Sequence, residues 1–223
     1  MPGLRIDIVA DIVCPWSFIG VRRLQRALIA ENRDDEREYQ IFWRPYLLNP
    51  DVGPEGVADL DVLSRTIGPE SRVKRLQETL KRAAHDVGID FCFDDMTFLP
   101  FAVPAHRLIR QFDGTSRVLD VADRLFSLYF EQGNDISNVD ILCDAVADFG
   151  VGKADVEDAV RISIRDRESV VLDDSETHRL GINGVPSFIF AGEHVISGAH
   201  DQAVLGRMLD VASVVSEGPL SPI

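Results

Sequence analysis

The chain has 223 residues, and its 23 Lys and Arg against 37 Asp and Glu leave a formal charge of −14. That length fits one elaborated domain or two small ones, while 45% hydrophobic and 27% charged residues mark a globular rather than a disordered chain. The acid excess argues against nucleic acid or anionic lipid as a general partner, and the longest apolar stretches fall far short of the about 20 residues of a membrane span.

Ile6 to Asp11 alternates with period two, as a half-buried strand does. Cys14-Pro15-Trp16-Ser17-Phe18-Ile19-Gly20 follows, and apolar residues at 21, 24, 27 and 28 then take the spacing of an amphipathic helix. Proline suits a first helical turn, so Cys14 falls at or just before the helix start. Tyr39 to Pro45 reads as a second strand, which completes a βαβ pattern.

The pattern then turns helical. Ala58–Ile67, Glu70–Val87, Ala102–Phe112, Ser116–Gln132, Val139–Phe149 and Lys153–Ser175 carry helical periodicity, with glycines 68, 88, 114, 133 and 150 near their ends. Gly184 to Phe190 and Glu193 to Ser197 read as a hairpin over Ala191-Gly192. A last helix is expected from Asp201 to Val214, and Pro219 to Ile223 as a frayed tail. The layout is α/β, with residues 1–54 and 176–223 forming one discontinuous unit and residues 55–175 an inserted all-helical domain.

Three cysteines are too few for a disulfide framework, and the odd count leaves at least one thiol unpaired within the chain. No basic head followed by an apolar run opens the sequence, so no secretory signal is expected. A reduced, cytoplasmic protein is the expectation. Cys14 holds the most informative position. A cysteine at a helix N-terminus meets unsatisfied N–H groups and the positive end of the helix dipole, which favour thiolate over thiol. Ser17, one turn on, is placed to donate to the sulfur. Taken alone, Cys14 is equally a small buried hydrophobe.

Cys14-Pro15-Trp16-Ser17-Phe18-Ile19-Gly20, Gly184-Val185-Pro186-Ser187-Phe188 and Ser197-Gly198-Ala199-His200 together resemble the DsbA-like branch of the thioredoxin superfamily. Within it the chain is most similar to the FrnE-like and 2-hydroxychromene-2-carboxylate isomerase group, with Trp43 to Pro50 and Ala105 to Leu108 extending the likeness over nearly the whole chain. The resemblance implies a thioredoxin-like fold with a large inserted all-helical domain. It puts the nucleophile on Cys14 and a cis-proline facing it on Pro186. Val185 before that proline would offer its backbone N–H and C=O to an extended peptide or to glutathione.

One position departs from the pattern. FrnE-like oxidoreductases show Cys-Pro-Trp-Cys, whose second thiol resolves a mixed disulfide, and here Ser17 takes that place. Isomerase and kappa-class glutathione transferase relatives carry serine at the first position instead. The motif is oxidoreductase-like at residue 14 and isomerase-like at residue 17. An intramolecular dithiol cycle at this motif is excluded, whereas a monothiol cycle with glutathione or a partner thiol is open.

Cys92 lies in an apolar stretch and Cys143 on a helix, and both read as core. His106 either lines the cleft, where the family places its helix, or is a satisfied structural histidine. His85, His178 and His194 have no ligand spacing with the cysteines, so no metal site is expected. Asp201 reads as an N-cap, though kappa-class relatives use polar groups near His200 and Asp201 to hold glutathione. Pro15 and Trp16 would flank a bound substrate, Trp16 as an apolar lid or as packing. The leading expectation is a thiol-disulfide oxidoreductase acting through Cys14, with Ser17 beside it. The alternatives are a glutathione-dependent isomerase or transferase, and a binding module that has lost turnover. No tightly bound cofactor is expected, glutathione is the candidate co-substrate, and a homodimer is compatible with the family.

Overall fold

The structure, a computed structural model, describes residues 3–31, 38–57, 68–161, 170, 179 and 181–217. Strand β1 (Leu4–Ala10) pairs in parallel with β2 (Tyr39–Pro45), from Leu4 opposite Tyr39 to Ala10 opposite Pro45. Parallel neighbours need a crossover, and helix α1 (Pro15–Glu31) supplies it. Strand β3 (Ser187–Phe190) runs antiparallel on the other side of β1, and β4 (His194–Ser197) pairs with β3, so the sheet order is β2-β1-β3-β4. β1 is central and buried along all but one residue, as a strand covered on both faces must be. The expected βαβ unit and hairpin therefore share one sheet. The hairpin turns through positive φ at Ala191 (52°) and Gly192 (76°). Its first strand begins at Ser187 rather than at Gly184, because residues 184–186 form a loop pinned by the Ser187 hydroxyl, which donates to the Gly184 carbonyl at 2.8 Å.

Between β2 and β3 lie α2 (Glu70–Ala84), α3 (Val103–Arg110), α4 (Arg117–Phe130), α5 (Val139–Val146) and α6 (Lys153–Val160), with α7 (Gln202–Glu217) closing the fold. The expected helices Glu70–Val87 and Val139–Phe149 each tighten into a 3₁₀ turn at the end, His85–Val87 and Ala147–Phe149. The helix expected over Lys153–Ser175 is corrected: α6 stops at Val160, where Arg161 leaves the helical region at ψ 111°. There the Arg107 guanidinium of α3 takes the Arg161 carbonyl at 2.6 Å, satisfying a group that a continuing helix would have used. The helix expected over residues 58–67, most of residues 162–175 and the 219–223 tail lie outside the described residues.

One core spans the sheet and the inserted helices. Ile6, Ile8 and Phe188 of the sheet, Phe18 and Leu24 of α1, and Phe126 and Phe130 of α4 belong to a single buried cluster. Phe18 stacks on Phe126 with centroids 5.1 Å apart and meets Phe91 edge-on at 6.2 Å. Charged staples reinforce the contact. Arg22 grips both oxygens of Asp123 at 2.7 and 2.9 Å and lies over the Phe18 ring. Arg23 donates to the Ala199 and Ala83 carbonyls and to Asp86, which ties α1 to the insertion and to the loop before α7.

Candidate active site

The Cys14 turn is built from the end of β1. Asp11 accepts the Cys14 backbone N–H on its carbonyl at 3.1 Å and the Val13 N–H on its carboxylate at 3.1 Å. Helix α1 then starts at Pro15, and the Phe18 N–H closes on the Cys14 carbonyl at 3.2 Å, so Cys14 sits just before the helix as its sequence position implies. Its sulfur points across to the 184–187 loop, donating a long contact to the Val185 carbonyl at 4.0 Å between residues 171 apart in sequence. The Val185-Pro186 bond is cis as expected; the Val185 carbonyl faces the Cys14 sulfur, and the Pro186 ring packs against Gly20 of α1. Gly20 makes that approach close: a Cβ there would sit 2.6 Å from Pro186 Cγ and 3.2 Å from Phe188 Cζ. On its far side the loop is held by the Gly198 N–H, which donates to the Pro186 carbonyl at 2.7 Å.

The expected thiolate is corrected. Burial pushes the Cys14 thiol up to about 11, and the Asp11 charge adds to the rise. The N–H groups of Ser17 and Trp16 and the Ser17 hydroxyl do pull the other way, as a helix N-terminus should, yet they do not outweigh desolvation of a residue only 5% exposed. Covered in this way, the sulfur is held as a protonated thiol at neutral pH. Ser17 Oγ is fully buried beside it and makes no hydrogen bond, because a thiol is a poor acceptor. A thiolate would be a good one.

Behind the turn lies a polar set with a logic of its own. Asp11 is 1% exposed and His106 of α3 is fully buried. The Trp43 indole N–H donates to His106 Nδ1 at 2.9 Å, and His106 Nε2 lies 3.3 Å from Asp11 Oδ1. Indole nitrogen only donates, so Nδ1 must accept and the ring proton sits on Nε2, directed at the carboxylate. The second Asp11 oxygen takes the Leu48 N–H at 2.7 Å. His106 therefore stands behind the cysteine turn and does not line the open cleft.

The remaining sequence candidates divide. Pro15 and Trp16 are partly exposed at the helix head, with Trp16 also packed on the main core. Asp201 caps α7, accepting the Val204 N–H at 2.8 Å, and the His200 ring turns back to the Ser197 carbonyl at 2.9 Å. Among the described contacts neither touches Cys14; the His200 N–H donates to the Gly198 carbonyl at 2.9 Å, next to the Gly198–Pro186 hydrogen bond. All three cysteines are free; Cys92, whose N–H bonds the Phe130 carbonyl, and Cys143 on α5 are half-buried within the insertion, more open than a core reading expects. Among the described residues no three His, Cys, Asp or Glu side chains cluster as metal ligands would, and no helix is long and apolar enough to cross a membrane. Sequence reasoning missed Asp11, Trp43 as a donor, and Gly20. Asp11 looked like the polar end of a strand, and only a tertiary contact reveals its second role. Beside Asp11 and Val13 lies a shallow depression, open to solvent and with about 10 Å³ of room, lined by Leu47, Val52, Leu99 and Phe101.

A cysteine at the head of the first helix, facing a cis-proline loop across a four-stranded mixed sheet, defines a thiol protein of thioredoxin fold. The chain belongs to the DSBA-like thioredoxin domain family, whose model matches residues 5–210. It is similar in structure to a probable DsbA oxidoreductase of Streptomyces coelicolor, at a TM-score of 0.82 and 23% identity, covering 99% of this chain and 94% of that one. A 2-hydroxychromene-2-carboxylate isomerase superposes at a TM-score of 0.64 and 14% identity over 95% of this chain and 94% of that one. The cytosolic disulfide reductase DsbM of Pseudomonas aeruginosa, solved with GSH, superposes at a TM-score of 0.59 and 17% identity over 96% and 98%. At these identities the likeness speaks for the fold.

Proposed function

We propose that the protein is a thiol-disulfide oxidoreductase that works through Cys14 alone and passes its mixed disulfide to an external thiol, with glutathione as the co-substrate in the cytoplasm. The observation that carries this reading is Ser17, a buried hydroxyl with no partner beside the sulfur, where a dithiol enzyme would hold its resolving thiol. Docking of a disulfide parts the Cys14–Val185 contact, and Ser17 donates to the thiolate as the proton leaves. The thiolate attacks one sulfur of the substrate disulfide, a Cys14–substrate disulfide forms, and the other sulfur departs as a thiolate that takes up the proton. An external thiolate then attacks the substrate sulfur, forming a new disulfide and returning Cys14 as a thiolate. The Val185 N–H, with no partner among the described residues, offers an extended substrate a strand-like hydrogen bond.

Intact-mass spectrometry after treatment with oxidised glutathione tests the proposal. One glutathione per chain is expected, on Cys14, stable until excess reduced glutathione releases it. Ser17→Cys should abolish the stable adduct, form an internal disulfide and raise disulfide reductase activity. An internal disulfide in the unaltered protein would make Cys92 or Cys143 a resolving thiol. No adduct, with no gain from Ser17→Cys, would overturn the oxidoreductase reading. The unpartnered Ser17 hydroxyl also suits a second reading, a glutathione-dependent isomerase in which it holds the thiolate of bound glutathione. Turnover of an aromatic substrate that requires glutathione without consuming it would identify that activity, and neither adduct nor turnover would leave a binding module.

A further inference from the structure

We propose that His106 is a positioning residue for Cys14, acting through Asp11 to set the electrostatic field at the sulfur. The inference rests on Cys14 as the reacting group and assigns the inserted helices a part in its chemistry. Asp11 joins three elements: its carbonyl and Oδ1 hold the Cys14 turn, its Oδ2 holds the Leu48 N–H after β2, and Oδ1 also faces His106 of α3. Its negative charge opposes ionisation of the neighbouring sulfur, after burial the main force holding Cys14 protonated. The His106 Nε2–H directed at Oδ1 draws that charge back from the cysteine. Trp43 keeps it there, since its indole N–H fixes the ring tautomer through Nδ1 at 2.9 Å. Among the described residues Tyr129 of α4 also feels the Asp11 charge: its phenol is driven upward chiefly by burial and next by Asp11, and its hydroxyl donates to the Phe98 carbonyl at 3.3 Å. Tyr129 stays protonated through the working range and adds no charge to the field at Cys14. A histidine that merely filled space would need neither the carboxylate partner nor a fixed tautomer.

The experiment follows iodoacetamide labelling of Cys14 by peptide mass mapping from pH 7 to 9.5, with Cys92 and Cys143 of the same chain as internal references. Labelling rate rises with the thiolate fraction, so removing the Nε2 donor in His106→Leu should slow Cys14 by about threefold to tenfold at every pH and leave the references unchanged. His106→Gln, whose amide N–H can still face Asp11, should return the rate to within about twofold of the unaltered protein. Asp11→Asn should speed Cys14, and adding His106→Leu to it should change nothing further. Trp43→Phe frees the ring tautomer and should slow Cys14 in the same direction, which keeps the proposal testable if His106→Leu does not fold. An unchanged or faster Cys14 in His106→Leu or Trp43→Phe, or a His106 effect that persists without the Asp11 charge, overturns it. Iodoacetamide reads the sulfur itself, so this result stands apart from whether a glutathione adduct forms.

Discussion

Replacing Cys14 with alanine turns the burial of the sulfur into a measurable free energy. The folded thiol sits at about 11 against an ordinary 9.0, so the fold favours the protonated form. A group raised on folding lends its full stability below its unfolded value and loses it as pH rises through its folded value. At pH 7.5 both states carry the proton and nothing is lost. At pH 10 the unfolded chain is mostly thiolate while the folded chain is mostly thiol, and the difference is about 1.4 kcal/mol against the fold. Cys14→Ala has no such group, and every other titration cancels between the two proteins. Urea unfolding at the two pH values should therefore show the unaltered protein losing about 1.4 kcal/mol relative to Cys14→Ala, about 0.5 M in midpoint at an m-value of about 3 kcal/mol/M. An unchanged difference would refute the desolvated thiol. A difference that moved the other way would mean that the head of α1 stabilises the thiolate more than burial opposes it.

Gly20→Ala would drive a methyl to 2.6 Å from Pro186 Cγ, so a loss of about 1–3 kcal/mol in thermal or urea unfolding is expected, together with a weaker glutathione adduct as the 184–187 loop moves off Cys14. A melting curve unchanged from the parent would show that α1 and the loop can part without loss. Ser17→Ala should divide stability from reactivity: removing a buried hydroxyl without a partner raises stability by about 1 kcal/mol, while Cys14 labelling slows because the thiolate loses its donor. Equal rates in the two proteins would exclude Ser17 from the chemistry.

The βαβ opening, the hairpin and the helical run between them were legible because each is written in local periodicity, and a cysteine before a proline marked the helix head without help from the rest of the chain. The resemblance carried Pro186 across 171 intervening positions, which no local pattern could have done. The acidity of Cys14 was misjudged for a physical reason: the helix N-terminus is visible in sequence, whereas desolvation depends on what covers the sulfur. Asp201 was legible as a cap because capping is local. His106 was visible only as one of two alternatives, and its decisive partners, Trp43 on β2 and Asp11 beyond β1, lie 63 and 95 residues away. The end of α6 escaped because the Arg107 guanidinium that takes the Arg161 carbonyl comes from another helix.

The stack of Phe18 on Phe126 has a meaning for the history of such a chain. An insertion with its own core could be exchanged like a cassette, leaving a working sheet and helix behind. Here the helix that carries the cysteine keeps one of its largest side chains inside the inserted layer, and Arg22 clasps Asp123 beside it. Excising the insertion would strand an aromatic ring in water one turn from the reacting sulfur. A change of side chain on the buried face of α4 therefore alters the packing of α1 one turn from the thiol, without any contact with substrate.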